Sequence, residues 1–334
     1  MIPVRPCAAA VLAAALLAGC GEKRAADAPP AGDAVPAAEA APALRMLATL
    51  GTDSSVIEGL AEHGGLLYTA DWKDGAVYRI DPAKGVTRVG ALPTKPGTAI
   101  LGLAADAAGN VYAAVPETGT VYRIDAARLG APDFDAARDA TPFATGAAGA
   151  NGINFDADGH LWISGGAQNA VYHVGPSGGA AQVFAKGYAH QATDTTMPVR
   201  AYVTNGLGID SKGAIYTANT GTGEIVRIER KPGNAAGAIT TVTSDRRLLG
   251  ADGIVVTPGD TLYVTANFSN TIAKIDPTGA VTILATDDAA ETLRFPAELK
   301  KVGDKVYVAN LNFPLGRNAR QAIKGASVAV LQLP

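Results

Sequence analysis

Four residues of this 334-residue chain carry side-chain oxygens at equivalent places in a repeat. They are Glu58, Asn151, Asn205 and Asp252, and each is followed by a glycine: Gly59, Gly152, Gly206 and Gly253. Two carboxylates and two amides gathered at one point are costly to bury without a partner, whereas a divalent cation balances both charges and accepts all four oxygens. Hard donors of this kind, with neither His nor Cys among them, favour Ca2+; Mg2+, Mn2+ and Zn2+ stay open, with a structural zinc site disfavoured. Coordination places left to water would let such a metal act as a Lewis acid on a carbonyl or deliver an activated water. A plainer reading competes, because Asn-Gly and Asp-Gly are common hairpin-turn dipeptides and need no ion. Against it, the third unit already has a hairpin turn at Asp158-Gly159, and the equivalent places of the second and sixth units hold Leu101 and Pro296.

The repeat itself is what makes the four places equivalent. Units recur 44 to 56 residues apart, the length of a four-stranded blade, and each is marked by its third strand, at residues 77–81, 121–125, 171–174, 225–229, 272–276 and 328–331. A β-branched and aromatic second strand precedes each one, as at residues 67–70 and 215–218. The oxygen-bearing place lies about eleven residues before that second strand, at the start of the first. This pattern predicts an all-β, six-bladed β-propeller over residues 43–334, in which the first strands line a central channel and distant residues meet at its mouth. Residues 45–50 read as a spare strand, and the last unit has only three, so the N-terminal strand is expected to close blade six and remove an open edge.

Residues 1–19 have the layout of a signal peptide, with Arg5 before an apolar stretch too short to span a bilayer. Leu17-Ala18-Gly19-Cys20 resembles a bacterial lipobox, which makes Cys20 the expected lipidation site. Residues 20–42, rich in Ala, Pro and charge, read as a disordered tether, and with Cys7 in the leader no disulfide is expected. The expected location is the bacterial cell envelope, facing the periplasm; Gly21 after Cys20 favours the outer membrane. A net charge of −3 with no run of basic residues gives no footprint for nucleic acid. Membrane contact is expected only through the lipid, and nothing in the sequence marks a protein partner.

Three further features bear on chemistry. The segment 311–325 interrupts blade six and carries Arg317, Arg320 and Lys324, a candidate binding loop in which Arg317 and Arg320 would meet an anionic substrate group; solvated loop charges are the competing account. His190, in the long connection 186–204, reads as a surface histidine. Gly175-Pro176-Ser177-Gly178-Gly179 matches the serine-hydrolase pattern G-x-S-x-G, yet it occupies the same strand-to-strand turn as Asp276-Pro277-Thr278-Gly279.

The motifs Ile57-Glu58-Gly59, Ala150-Asn151-Gly152, Thr204-Asn205-Gly206 and Ala251-Asp252-Gly253, in this order and spacing, resemble those of the SMP-30/gluconolactonase/LRE family. These are six-bladed propellers that include metal-dependent lactonases. The resemblance implies that Glu58, Asn205 and Asp252 hold the metal, that Asp252 doubles as general acid/base, and that Asn151 contacts substrate or a metal-bound water. Two places depart from the family's sugar-lactone hydrolases: Gly149 stands where they have arginine, and Leu60 where proline is usual. The function expected is therefore a divalent-metal-dependent hydrolase of a small-molecule lactone or related ester, with gluconolactone itself disfavoured. The alternatives are a non-catalytic envelope propeller binding a ligand or a protein around a structural cation, and a lyase on the same scaffold.

Overall fold

The computed structural model describes residues 43–192, 201–286, 290–319 and 325–333. Six antiparallel sheets form the blades of a propeller, as the repeat predicts; the second blade also carries a short parallel strand, Gly179–Ala180, on its outer edge. The second strands are buried over all but at most their first residue, and along their whole length in Val111–Val115 and Ile215–Ala218, because neighbouring blades cover both their faces. The core therefore lies between blades rather than inside any one of them. Trp162, fully buried in blade three, packs edge-on against Phe184 at 4.9 Å and lies in one cluster with Ile215 and Ile228 of blade four.

A turn repeated in three blades sets the register of the inner strands. Asp106, Asp156 and Asp210 each accept backbone amides two and four residues on: Ala108 and Asn110, Asp158 and His160, Lys212 and Ala214. Each also reaches the aromatic six residues on, Tyr112, Trp162 or Tyr216, so the carboxylate ties the turn to the second strand. Gly109, Gly159 and Gly213 complete these turns with φ of 81°, 80° and 82°, which only glycine adopts without strain.

Ala43–Thr49 pairs antiparallel with Ser327–Gln332, with Leu44 opposite Leu331, so the N-terminal strand does complete blade six. At the inner end of the same junction the Glu298 amide donates to the Glu58 carbonyl at 3.3 Å. Blade six also corrects one alignment. Pro296 pairs with Asn310 and Leu299 with Val308, as Ala251 pairs with Ala266 and Ile254 with Val264. The residue equivalent to Asp252 is therefore Ala297, not Pro296, and Glu298 stands where blade five has Gly253. The cause is the turn between Val302 and Lys305, one residue shorter than that between Thr257 and Thr261.

The G-x-S-x-G segment is a turn, closed by the Gly178 amide on the Gly175 carbonyl at 2.9 Å, and a strand rather than a helix follows it.

Candidate functional site

The four oxygen-bearing residues meet at one end of the channel, at the starts of the inner strands. Backbone amides hold three of these starts to the second strand of their own blade: Leu101 to the Ala114 carbonyl at 2.9 Å, Asn151 to Ser164 at 2.8 Å and Asn205 to Ala218 at 2.8 Å. The following glycines, Gly102 included, all have negative or extended φ, so none of them makes a turn. They are needed for close approach instead. A methyl group on Gly59 would overlap the Leu101 carbonyl of the next blade, one on Gly102 the Asn151 carbonyl, and one on Gly206 the Asp252 carbonyl. The hairpin-turn account of these dipeptides therefore fails, and the glycines are what bring the oxygen-bearing residues of neighbouring blades together.

Glu58, Asn151, Asn205 and Asp252 are each no more than 5% exposed, and all line one cavity of about 90 Å3 that opens to solvent. Four buried oxygens of residues that line it accept no hydrogen bond: Glu58 Oε2, Asn151 Oδ1, Asn205 Oδ1 and Asn267 Oδ1. Asn267, at the end of blade five's second strand, was not singled out from sequence; its Nδ2 donates to Asp252 Oδ2 at 3.0 Å. Asn205 Nδ2 donates to Thr220 Oγ1 at 2.9 Å, and Thr220 donates in turn to the Ala251 carbonyl at 2.8 Å. The amide nitrogens of Asn205 and Asn267 are thus engaged within the protein, while their oxygens are left without a partner. A cluster of acceptors with no donor is an unfavourable thing to bury, and a hard divalent cation is the partner that fits it.

The electrostatics agree. Burial, then the charges of Asp252 and Glu298, push the Glu58 carboxyl well above the usual carboxylate range, while Lys300 draws it down. Burial and Glu298 push Asp252 up to about 8, against hydrogen bonds from Asn267 and Asn205. Glu298, the residue hidden by the short turn of blade six, is likewise raised by burial and drawn down by the Lys300 ammonium, 3.5 Å from its Oε1. Three carboxyl groups are thus buried beside one another with a single lysine among them.

Apart from Asn267 and Thr220, the rest of the cavity is mostly apolar. Trp72, Leu101, Tyr202, Phe295, Leu311 and Phe313 form its walls, drawn from blades one, two and six and from the connections that lead into blades four and six. Arg317 is exposed and does not line the cavity; the segment 311–325 reaches it through Leu311 and Phe313 instead. Arg320 and Cys20 lie outside the described residues. His190 is mostly exposed and pairs through Nδ1 with Glu224 at 2.9 Å, away from the cavity.

A second acidic group, Asp156, Asp158 and His160, brings ligand-type atoms close together, at the opposite end of the inner strands. Its central carboxylate is already engaged: Asp156 accepts from Trp162 Nε1 at 2.9 Å and from the Arg230 guanidinium at 2.7 Å. This is the repeated turn described above, with a counter-cation built in.

Fold and site together define a class: a six-bladed propeller with a buried, donor-poor oxygen cluster at its channel mouth. Residues 137–287, which include Asn151, Asn205 and Asp252, match the family model described as the SMP-30/Gluconolactonase/LRE-like region, in line with the resemblance read from the motifs. No curated protein sequence matches the chain. Among solved structures it is similar to a gluconolactonase from Xanthomonas campestris, with 17% identity and a TM-score of 0.61 over 87% of this chain and 89% of that one. It is also similar to the calcium-binding protein regucalcin from Agrobacterium tumefaciens, with 15% identity and a TM-score of 0.61 over 86% and 96%. A third likeness is to virginiamycin B lyase from Staphylococcus aureus, with 15% identity and a TM-score of 0.55 over 88% and 100%. At such identities the likeness is one of fold.

Proposed function

We propose that this protein is a divalent-metal-dependent hydrolase of a lactone or related ester, anchored to the bacterial envelope through lipid at Cys20. The observation that carries the reading is the set of four buried oxygens without donors around one cavity, beside a fifth donor, Asp252. Glu58, Asn205 and Asp252 would hold the cation, with Asn151 and Asn267 facing it. The all-oxygen donor set favours Ca2+, in keeping with the calcium-binding and gluconolactonase descriptions of two structures that share the fold.

The cation would supply Lewis-acid polarisation of the ester carbonyl and an activated water. The remaining work belongs to this chain. Asn267 Nδ2 fixes one oxygen of Asp252 and leaves the other to handle the proton. Asp252 takes that proton as the water oxygen bonds to the carbonyl carbon, and returns it to the alkoxide oxygen as the ester C–O bond breaks. Asn151, its Oδ1 free, orients the water or the substrate. The apolar walls exclude bulk water and strengthen each of these interactions.

The test is calorimetric titration of the metal-stripped protein with Ca2+, Mg2+, Mn2+ and Zn2+, followed by assay on a panel of lactones and esters. We expect stoichiometric binding that is lost in Asp252→Ala and in Glu58→Ala, with hydrolysis falling by about 100-fold or more in each. A folded wild-type protein that binds none of the four ions would sink the reading. Binding without turnover of any panel member would leave the non-catalytic propeller in its place.

A further inference from the structure

We infer, resting on the hydrolase reading above, that the substrate is a compact apolar ester or lactone carrying an aromatic or alkyl ring, not a polyhydroxylated sugar lactone. The inference rests on what the walls offer once the cation's donors are set aside. Trp72 stands with its one polar atom turned away, Nε1 donating to the Ile100 carbonyl at 2.6 Å, so only its carbon faces remain for a ligand. Phe313 packs edge-on against Trp72 at 5.7 Å, Phe295 lies 5.9 Å from Phe313, and Phe268 lies 5.6 Å from Phe295. This makes a continuous aromatic wall running from blade one to blade five beside the oxygen cluster.

The backbone is bent to build it. Phe295 has φ of 54°, a left-handed conformation that a bulky residue adopts only when its surroundings enforce it. Here its amide donates to Asn270 Oδ1 at 2.9 Å and its carbonyl accepts from the Leu311 amide at 3.1 Å. Strain held by two buried hydrogen bonds places an aromatic ring at the mouth of the channel, where a relaxed backbone would leave it elsewhere.

A sugar lactone presents several hydroxyl groups, each needing a partner when it leaves water. Among the described residues lining the cavity none is Arg, Lys, His, Ser or Gln, and Thr220 is already bonded on both sides. Among the described lining residues only Asn151, the Asn267 Oδ1 and the Tyr202 hydroxyl remain outside the cation's proposed donors, few for the hydroxyl groups of a sugar ring. An apolar ring instead covers Trp72 and Phe313 and leaves its carbonyl to the cation's side of the cavity.

The experiment compares two unreactive lactams, 3,4-dihydroquinolin-2-one and gluconolactam, by calorimetry on the full-length Ca2+-loaded protein, alongside hydrolysis of the corresponding lactones. The aromatic lactam should bind at least about 30-fold more tightly, and kcat/KM should favour its lactone in the same sense. Trp72→Ala and Phe313→Ala should each weaken the aromatic lactam by about 10-fold while leaving Ca2+ affinity unchanged, and Trp72→Phe should restore most of the loss. Equal or tighter binding of gluconolactam, binding of neither, or indifference to both alanine variants would overturn the inference. The hydrolase reading is judged separately. Ca2+-dependent turnover that prefers the sugar lactone would overturn the substrate class alone, whereas preferential aromatic binding by a protein that takes up no cation would overturn the metal reading alone.

Discussion

Asp252 shows how one buried carboxyl can couple pH, cation and stability. Burial and Glu298 raise it to about 8, and Glu58 is raised as well, so the folded metal-free protein keeps protons that the unfolded chain loses near pH 4. The unfolded state therefore binds fewer protons between those limits, and this contribution to stability falls as pH rises from about 4 to about 8. A cation displaces those protons, so the gain in Tm on adding Ca2+ should grow steadily from pH 5 to pH 8 and binding should release protons. Thermal melts at three pH values with and without Ca2+ check this; a gain independent of pH would mean the carboxyls are ionised without the ion. Most of this site could be read from the sequence, because the repeat fixes which residues share a register. Asn267 could not. It follows Thr265-Ala266 just as Asp71 follows Thr69-Ala70 and Asn219 follows Thr217-Ala218. The Oδ1 atoms of Asp71 and Asn219 accept from the turn amides of Lys73 and Gly221, while the Oδ1 of Asn267 has no partner, a difference made by contacts and not by residue type.

At the scale of the strand, the inner-strand glycines decide how near two blades can stand. Gly206 is the clearest case, since a methyl group there would strike the Asp252 carbonyl, which belongs to a rigid strand. Gly206→Ala should cost about 2–3 kcal/mol of stability and weaken cation binding at the same time. Gly65→Ala, at φ of 80° with open space around it, should cost only about 1 kcal/mol and leave binding alone. Urea melts and cation titrations of the two variants separate the effects; equal losses in both would deny the close-approach role. The strands themselves were legible from their β-branched runs and repeated turns. The one-residue offset in blade six was not, because a two-residue and a three-residue turn leave the same alternating pattern behind them, and Glu298 was missed with it. The aromatic wall was hidden for another reason: Trp72, Phe268, Phe295 and Phe313 come from separate loops that only the closed ring brings together.

At the scale of the whole molecule, the strand Ala43–Thr49 that closes blade six follows Cys20 closely in the sequence. The envelope anchoring we propose predicts that Cys20→Ser leaves the protein in the soluble fraction with its fold and cation binding intact. Fractionation of cells expressing the two forms checks this, and a variant that stays with the membranes would refute lipidation at Cys20. Closure also has a consequence in time. Glu58 comes from the first blade and Asp252 from the fifth, and they face each other only once blade six has bridged them through the Glu298 amide and the Glu58 carbonyl. No partly assembled chain can therefore present the cation with its full set of donors, and contacts of such long sequence separation form late. On the metal reading proposed above, the ion would be a lock and not a template: it would slow the opening of the finished ring without hastening the assembly that creates its own site.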